Sequence, residues 1–471
     1  MKNNREKEGR QSHNKRRRVT PALLERIQPD AAGIDCGSEH HYVAVPRDRD
    51  PEPVRHFRTF TADLNRLADW LAACGIKTVA MESTGVYWIP VYEILEERGF
   101  EVVLVNARDV HNVRARKSDV SDCEWIQELH SVGLLRPSFR PAGEIATLRA
   151  YLRHRETLVQ EAAARIQRMQ KALTQMNLQL HNVISDITGV TGLRIVRDIL
   201  AGVRDPKTLA AHRDYRCHAP EEEIAASLTG NYRDEHLFAL RQNFEAYEFH
   251  KRQMEACDVE IEAHLKTLAG RQNPPKAPLP PPRRKVKPRD NDPRFEIRSP
   301  LHRLTGGVDL SQIDAIGPAT ALQLVSEIGI DMTRWRSEKH FTSWLTLAPN
   351  NKVSGGRLLS SRTLPSANRA AAILRRCAMS LGRTTTALGA FYRRLAYRVG
   401  KAKAITATAR KLALLVYRVL RGDIVYSDPG DLAYEQRHRA RTVISLRKRA
   451  KQFGFGLVNL QTGEILEGAV S

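Results

Sequence analysis

The chain has 471 residues and a net charge of +22, from 75 Lys and Arg against 53 Asp and Glu, with a pI near 10.0. Its 42% hydrophobic and 27% charged residues are a globular balance, with length for two or three domains that each bury a core. No stretch approaches the ~18 uninterrupted apolar residues of a membrane helix, and the charged opening Met1–Arg18 has no apolar stretch, so it is not expected to act as a secretory signal. A positive excess of this size, clustered as it is, is the footprint of a polyanion partner, usually nucleic acid.

Residues 1–28 are expected to form a flexible basic arm. Residues 29–140 alternate strands and helices. Ala32–Cys36 and Tyr42–Val45 are expected as strands joined by the turn Gly37-Ser38-Glu39-His40, with a third strand over Val54–Phe60. A helix over Asn65–Ala73, a strand Thr78–Glu82, a helix near Val91–Arg98 and a strand Glu101–Val105 complete an α/β layer. Residues 141–270 change period: Val159, Ala162, Ile166, Met169, Leu173, Met176, Leu180 and Val183 alternate spacings of three and four, a heptad seam. A second seam runs Leu237, Leu240, Phe244, Tyr247, Met254, Ile261 and Leu265, interrupted by Lys251 and Asp258. The pair reads as a coiled-coil arm or hairpin, and the first seam as a route to self-association.

Residues 271–300, rich in proline and basic residues, have the composition of a linker. A second, mostly helical domain is expected over 301–425. A basic extension, 426–471, holds a helix over Tyr434–Lys451 and a short β-like tail, Gly456–Leu466. The fold class is therefore α/β followed by mainly α. The six cysteines, Cys36, Cys74, Cys123, Cys217, Cys257 and Cys377, form no Cys-x-x-Cys pair. Free thiols in a reducing cytoplasm are expected, and zinc is not.

Four acids stand out by position. Asp35 lies in the first strand and Glu82 ends a later apolar one, where an acid is costly unless something pairs with it. Asp119 and Asp122, three apart, share one helical face. Metal-assisted phosphoryl transfer needs such a set, because two magnesium ions about 4 Å apart require several hard oxygen ligands from rigid elements. In the second domain, Gly317-Pro318 precedes a helix over Leu322–Ile328, in the manner of a helix-hairpin-helix whose backbone amides accept a phosphate. Ser354, followed by Gly355 and Gly356 and flanked by Lys352, Arg357 and Arg362, suits a phosphate-facing nucleophile.

The segments Gly33-Ile34-Asp35 and Met81-Glu82-Ser83-Thr84-Gly85 and the pair Asp119-x-x-Asp122 resemble the RuvC-like (RNase H-fold) domain of the insertion-sequence-110 family of transposases. The resemblance runs on through the coiled-coil region into the second domain. It implies that Asp35, Glu82, Asp119 and Asp122 are the family's Asp-Glu-Asp-Asp metal ligands, and that Ser354, in the Ser-Gly-Gly loop, is the nucleophile. It further implies a recombinase of donor and target DNA, guided by a structured non-coding bridge RNA, acting as a homo-oligomer (dimer or tetramer). Such a protein is expected in the cytoplasm, at the nucleoid when bound to DNA. The family tends to have a glycine after the serine loop and another before the asparagine matching Asn368, where this chain has Ser360-Ser361 and Ala367. The alternative reading is a RuvC-like, metal-dependent nuclease without covalent strand exchange.

Overall fold

The computed structural model describes residues 25–83, 85–106, 119–141, 143–283, 288–365, 367–460, 463 and 465–466, the side chains of 119–121 and 465–466 excepted. The expected basic arm up to residue 24 and the linker residues 284–287 thus lie outside the described residues. The chain divides into two compact units, Met1–Arg140 and Pro141–Ser471.

In the first unit, β1 (Ala31–Cys36), β2 (His40–Ala44), β3 (Val54–Arg58), β4 (Thr78–Glu82) and β5 (Glu101–Val105) form one sheet in the order β3-β2-β1-β4-β5. The β1-β2 and β2-β3 pairs are antiparallel and the β1-β4 and β4-β5 pairs parallel. Helices α1 (Thr61–Ala73) and α2 (Trp88–Glu97) supply the connections. On α1 the buried Leu64, Leu67, Ala68 and Leu71 repeat at three and four, the spacing of one helical face. They meet Ile34, Val43, Val79 and Met81 from one side of the sheet, together with Val91 and Leu95 of α2. Helix α3 (Asp119–Ser131) packs on β1 and β4 from the other side, where Ile126 meets Ala80 and Val105.

The second unit opens with α4 (Glu144–Gln175). The short helices α5 (Leu180–Val183), α6 (Val190–Ala201), α7 (Pro206–Ala210) and α8 (Glu221–Ser227) lead to the long α9 (Asp234–Gly270). The two predicted seams face each other within the chain. Ala162, Met169 and Leu173 of α4 share a core with Leu240, Phe244, Tyr247 and Met254 of α9, so the structure is the hairpin alternative. The apolar face offered above for self-association is thus consumed inside the chain: Leu173 is 1% exposed. The first seam also stops short of Val183. Asn177 takes φ +56, and the Met176 carbonyl accepts a hydrogen bond from Asn231 N (2.9 Å) instead of from a further helical turn. Leu180 and Val183 belong to α5.

The proline-rich stretch has neither helix nor strand among its described residues until α10 (Arg298–Leu304). It is nonetheless anchored: Arg298 donates to Pro280 O (2.8 Å), Gln312 to Pro281 O (3.0 Å) and Arg155 to Asn291 O (2.8 Å). Beyond it come α11 (Pro318–Ile328), α12 (Glu338–Trp344), the hairpin β6 (Lys352–Ser354) and β7 (Arg357–Ser360), α13 (Arg369–Leu381), α14 (Ala387–Val399) and α15 (Lys401–Leu420). An aromatic knot of Trp335, Phe341, Trp344 and Tyr417 sits at their centre. Helix α16 (Gly430–Gln452) buries no residue, and the strands β8 (Leu457–Val458) and β9 (Ile465–Leu466) follow it. No helix among the described residues is long and apolar enough to cross a membrane.

Candidate active site

Side chains alternate across a strand, so register decides which acids share a face. Ile34 of β1 is paired with Met81 of β4, and both point into the core under α1 and α2. The next residue on each strand, Asp35 and Glu82, therefore points to the opposite side, the side on which α3 lies. Gly33 shares that side. A Cβ there would sit 2.3 Å from the Gln127 nitrogen and 2.4 Å from the Cys123 carbonyl oxygen. Glycine is what lets α3 lie against β1. Two hydrogen bonds fix the helix: Gln127 donates to Ala31 O at 3.1 Å, and Thr78 Oγ1 lies 2.9 Å from His130 Nε2.

Asp35, Glu82 and Asp122 are each half-buried. The sheet carboxylates act on their surroundings. Burial first, then the charges of Asp35 and Glu82, push the Cys36 thiol far above its ordinary value. Cys123, on α3 beside Asp122, is raised to about 12, mainly by burial, with the Glu124 and Asp35 carboxylates adding to it. Both shifts favour the neutral thiol over the thiolate. Asp119 opens α3, and its side chain lies outside the described residues. Among the described residues no three His, Cys, Asp or Glu side chains converge as a metal-binding group.

Ser354 sits at the tip of the β6-β7 hairpin, opposite Arg357. Gly355 and Gly356 have φ of +53° and +74°, the two positive values a tight two-residue turn of this hand demands. The glycines are thus explained by the turn itself. A Cβ on either would meet nothing within 4 Å, so the tip stands open. Ser354, Lys352 and Arg357 are all exposed, as is Arg362 at the hairpin's base, where Asn350 N donates to Arg362 O (3.1 Å). Ser360 is engaged locally, its hydroxyl accepting from Arg362 N (3.3 Å). His340, the histidine nearest to Ser354 in sequence, bonds through Nδ1 to Ser337 Oγ (2.7 Å). Asn368 caps α13, accepting from Ala371 N at 3.0 Å. Gly317 caps α11 with Pro318 in its first turn, so that helix starts four residues before the predicted Leu322.

One surface escaped the sequence reading. A groove of about 1130 Å³ lies between β7, α14 and α15. Its cations Arg410 and Lys411 adjoin on α15, but Phe391 and Leu359 lie far from them in sequence and carry no motif.

Two family models match the chain. Residues 32–178 match the DEDD transposase model of IS110, and residues 309–393 match the model described as transposase of the IS116/IS110/IS902 family. No curated protein matches. The first match holds the carboxylates and the second the serine hairpin. The chain is a DNA transposase, an enzyme that cleaves and rejoins DNA strands, and its two matched regions are similar to those of IS110-family transposases.

Proposed function

We propose that this transposase breaks and reseals DNA with two groups of its own residues: Asp35, Glu82, Asp119 and Asp122 as ligands of two magnesium ions, and Ser354 as the nucleophile. The observation that carries the reading is the placement of Asp35 and Glu82 at the ends of neighbouring parallel strands, on the side covered by the helix that bears Asp119 and Asp122. An all-oxygen donor set suits a hard divalent cation. When bound, such ions supply positive charge that activates an attacking oxygen and stabilises a leaving one.

The chain's own residues do the rest. Ser354 Oγ attacks phosphorus and gives up its proton to solvent. A phosphoserine ester forms, the bond from phosphorus to the leaving nucleotide oxygen breaks, and that oxygen takes up a proton. Attack by the hydroxyl of another strand reverses the step, so the number of phosphoester bonds is unchanged and no energy source is consumed. Lys352 and Arg357 stabilise charge on the transferring phosphate, and the open Gly355-Gly356 turn lets it approach the backbone. Arg362 and the N-terminus of α11 at Gly317 contact flanking phosphates. A structured bridge RNA selects donor and target DNA by base pairing. Assembly as a dimer or tetramer follows from the need to hold several DNA ends at once; since the α4 seam is spent inside the chain, assembly depends on other surfaces or on the nucleic acid.

The test of the metal assignment is calorimetric titration of magnesium and manganese into full-length Asp35→Asn, Glu82→Gln and Asp122→Asn proteins, beside a strand-cleavage assay. Each variant is expected to keep its far-UV circular dichroism and to lose both metal binding and cleavage by at least a hundredfold, on the order of 3 kcal/mol. Full cleavage by a folded Asp122→Asn protein removes that residue from the set.

A further inference from the structure

The groove beside the serine hairpin has a composition that neither a protein core nor a simple basic surface shares. Its walls are apolar: Leu358 and Leu359 from β7, 55% and 64% exposed, face Phe391 and Leu395 of α14. Four cations ring it, Arg362, Lys403, Arg410 and Lys411, and among the described residues that line it there is no Asp or Glu. Lys411 Nζ sits 4.3 Å from the centroid of the Phe391 ring. Arg410 Nε is buried and has no hydrogen-bond partner among the described residues. Ser360 and Thr406 add hydroxyls to the lining, whereas Ser354 is not part of it.

An apolar slot with an aromatic wall, hydroxyls at its side and cations around it matches one chemistry: a planar base in the slot, its edge on the hydroxyls, its neighbouring phosphates on the cations. A paired base in a duplex presents no face to such a slot. We propose that this groove seats unstacked bases of a single-stranded nucleic-acid segment, with Phe391, Leu358 and Leu359 as the stacking walls and Arg362, Lys403 and Arg410 on the flanking phosphates. The charge commits it to a polyanion rather than to an apolar helix of a second copy, which would leave four cations facing an uncharged surface. The inference rests on nucleic acid being the partner and not on the chemistry assigned to Ser354.

The test uses the full-length protein in EDTA, where strand cleavage does not intervene. Fluorescence anisotropy is read with three probes: fluorescein-labelled oligothymidylate, oligouridylate, and a blunt mixed-sequence duplex, each about 20 long, more than one such site occupies. Leu359→Gln, at an exposed position that leaves the core intact, and Phe391→Ala are each expected to weaken single-strand binding roughly tenfold, since stacking on one side chain is worth about 1–3 kcal/mol per base. Duplex binding should move less than twofold. Lys403→Gln should lower the slope of log affinity against log salt by about 0.7 for the single strands. Tighter binding of the thymidylate assigns the groove to DNA, and of the uridylate to RNA; either supports the proposal. Equal losses for duplex and single strands overturn it, as does unchanged single-strand binding in Leu359→Gln. A change in sedimentation coefficient of that variant, without loss of oligonucleotide binding, makes the groove an interface between copies and likewise overturns it.

Discussion

Gly33 is a single atom's worth of specification. Its missing Cβ is the gap into which the α3 backbone at Cys123 and Gln127 fits. Gly33→Ala is expected to cost about 1–3 kcal/mol by overpacking, because the atoms it meets are backbone and cannot rotate away. The same shift would move the helix that carries Asp119 and Asp122, so cleavage should fall further than stability does; urea denaturation and a cleavage assay on one preparation separate the two. A variant as stable and active as wild type would show that α3 does not need this contact. His130, on the same helix, gives a pH signature. Burial lowers its pKa from 6.5 to about 4, as it does for His41. A histidine whose folded pKa lies below its unfolded one binds fewer protons when folded, so its contribution is present above pH 6.5 and is lost as pH falls from 6.5 towards 4. Thermal melts should show stability falling across that window, and His130→Gln should flatten the part that His41 does not account for.

At the scale of elements, the two seams and their interruptions were legible, but their meaning was not. Asp258 breaks the apolar rhythm of α9, and no local pattern points to its partner. In the structure Arg155 of α4 donates to it through Nε (2.5 Å) and Nη2 (3.2 Å), both residues being buried. The pair joins the hairpin helices across 103 residues of chain, a distance no local pattern reports. Removing one partner strands the other charge: Asp258→Leu alone should destabilise by about 3–5 kcal/mol, whereas Arg155→Met with Asp258→Leu should recover most of it. A double variant whose loss equals the sum of the two single losses, by chemical denaturation, would mean the pair is not coupled. The strands of the first unit were read to within a residue or two because the central ones, β1 and β4, are short, almost continuously buried runs bounded by turns. The end of α4 was misplaced because the apolar spacing runs past Met176 while the chain itself turns at Asn177. At the site, Asp35 and Glu82 were visible as acids in apolar strands, and Asp119 and Asp122 as a pair three apart on one helix. The two glycines after Ser354 looked like an invitation to a phosphate, and they prove to be the turn's own requirement. The groove was invisible because its walls come from three separate elements.

Across the whole molecule the excess charge is unevenly spent. Helix α16 buries nothing and carries Arg437, Arg439, Arg441, Lys448, Arg449 and Lys451 exposed, with Arg447 half-buried. Such a helix is expected to contribute backbone contacts to a polyanion. Replacing Arg447, Lys448, Arg449 and Lys451 by Gln should reduce the slope of log affinity against log salt by about 0.9 for each duplex phosphate contact removed, with little change in sequence preference. An unchanged slope would leave the helix a solvated surface.

The central claim is that Ser354 becomes covalently joined to DNA. Full-length protein, magnesium, guide RNA and a DNA substrate are incubated, denatured and resolved for a protein–DNA adduct, with the linked residue read by mass spectrometry. The account predicts an adduct at Ser354 in wild type, none in Ser354→Ala, and undiminished adducts in Ser360→Ala and Ser361→Ala. An adduct that survives Ser354→Ala, or a wild type that recombines DNA without forming one, would contradict it, the second outcome pointing to direct strand transfer by the metal-bound centre alone.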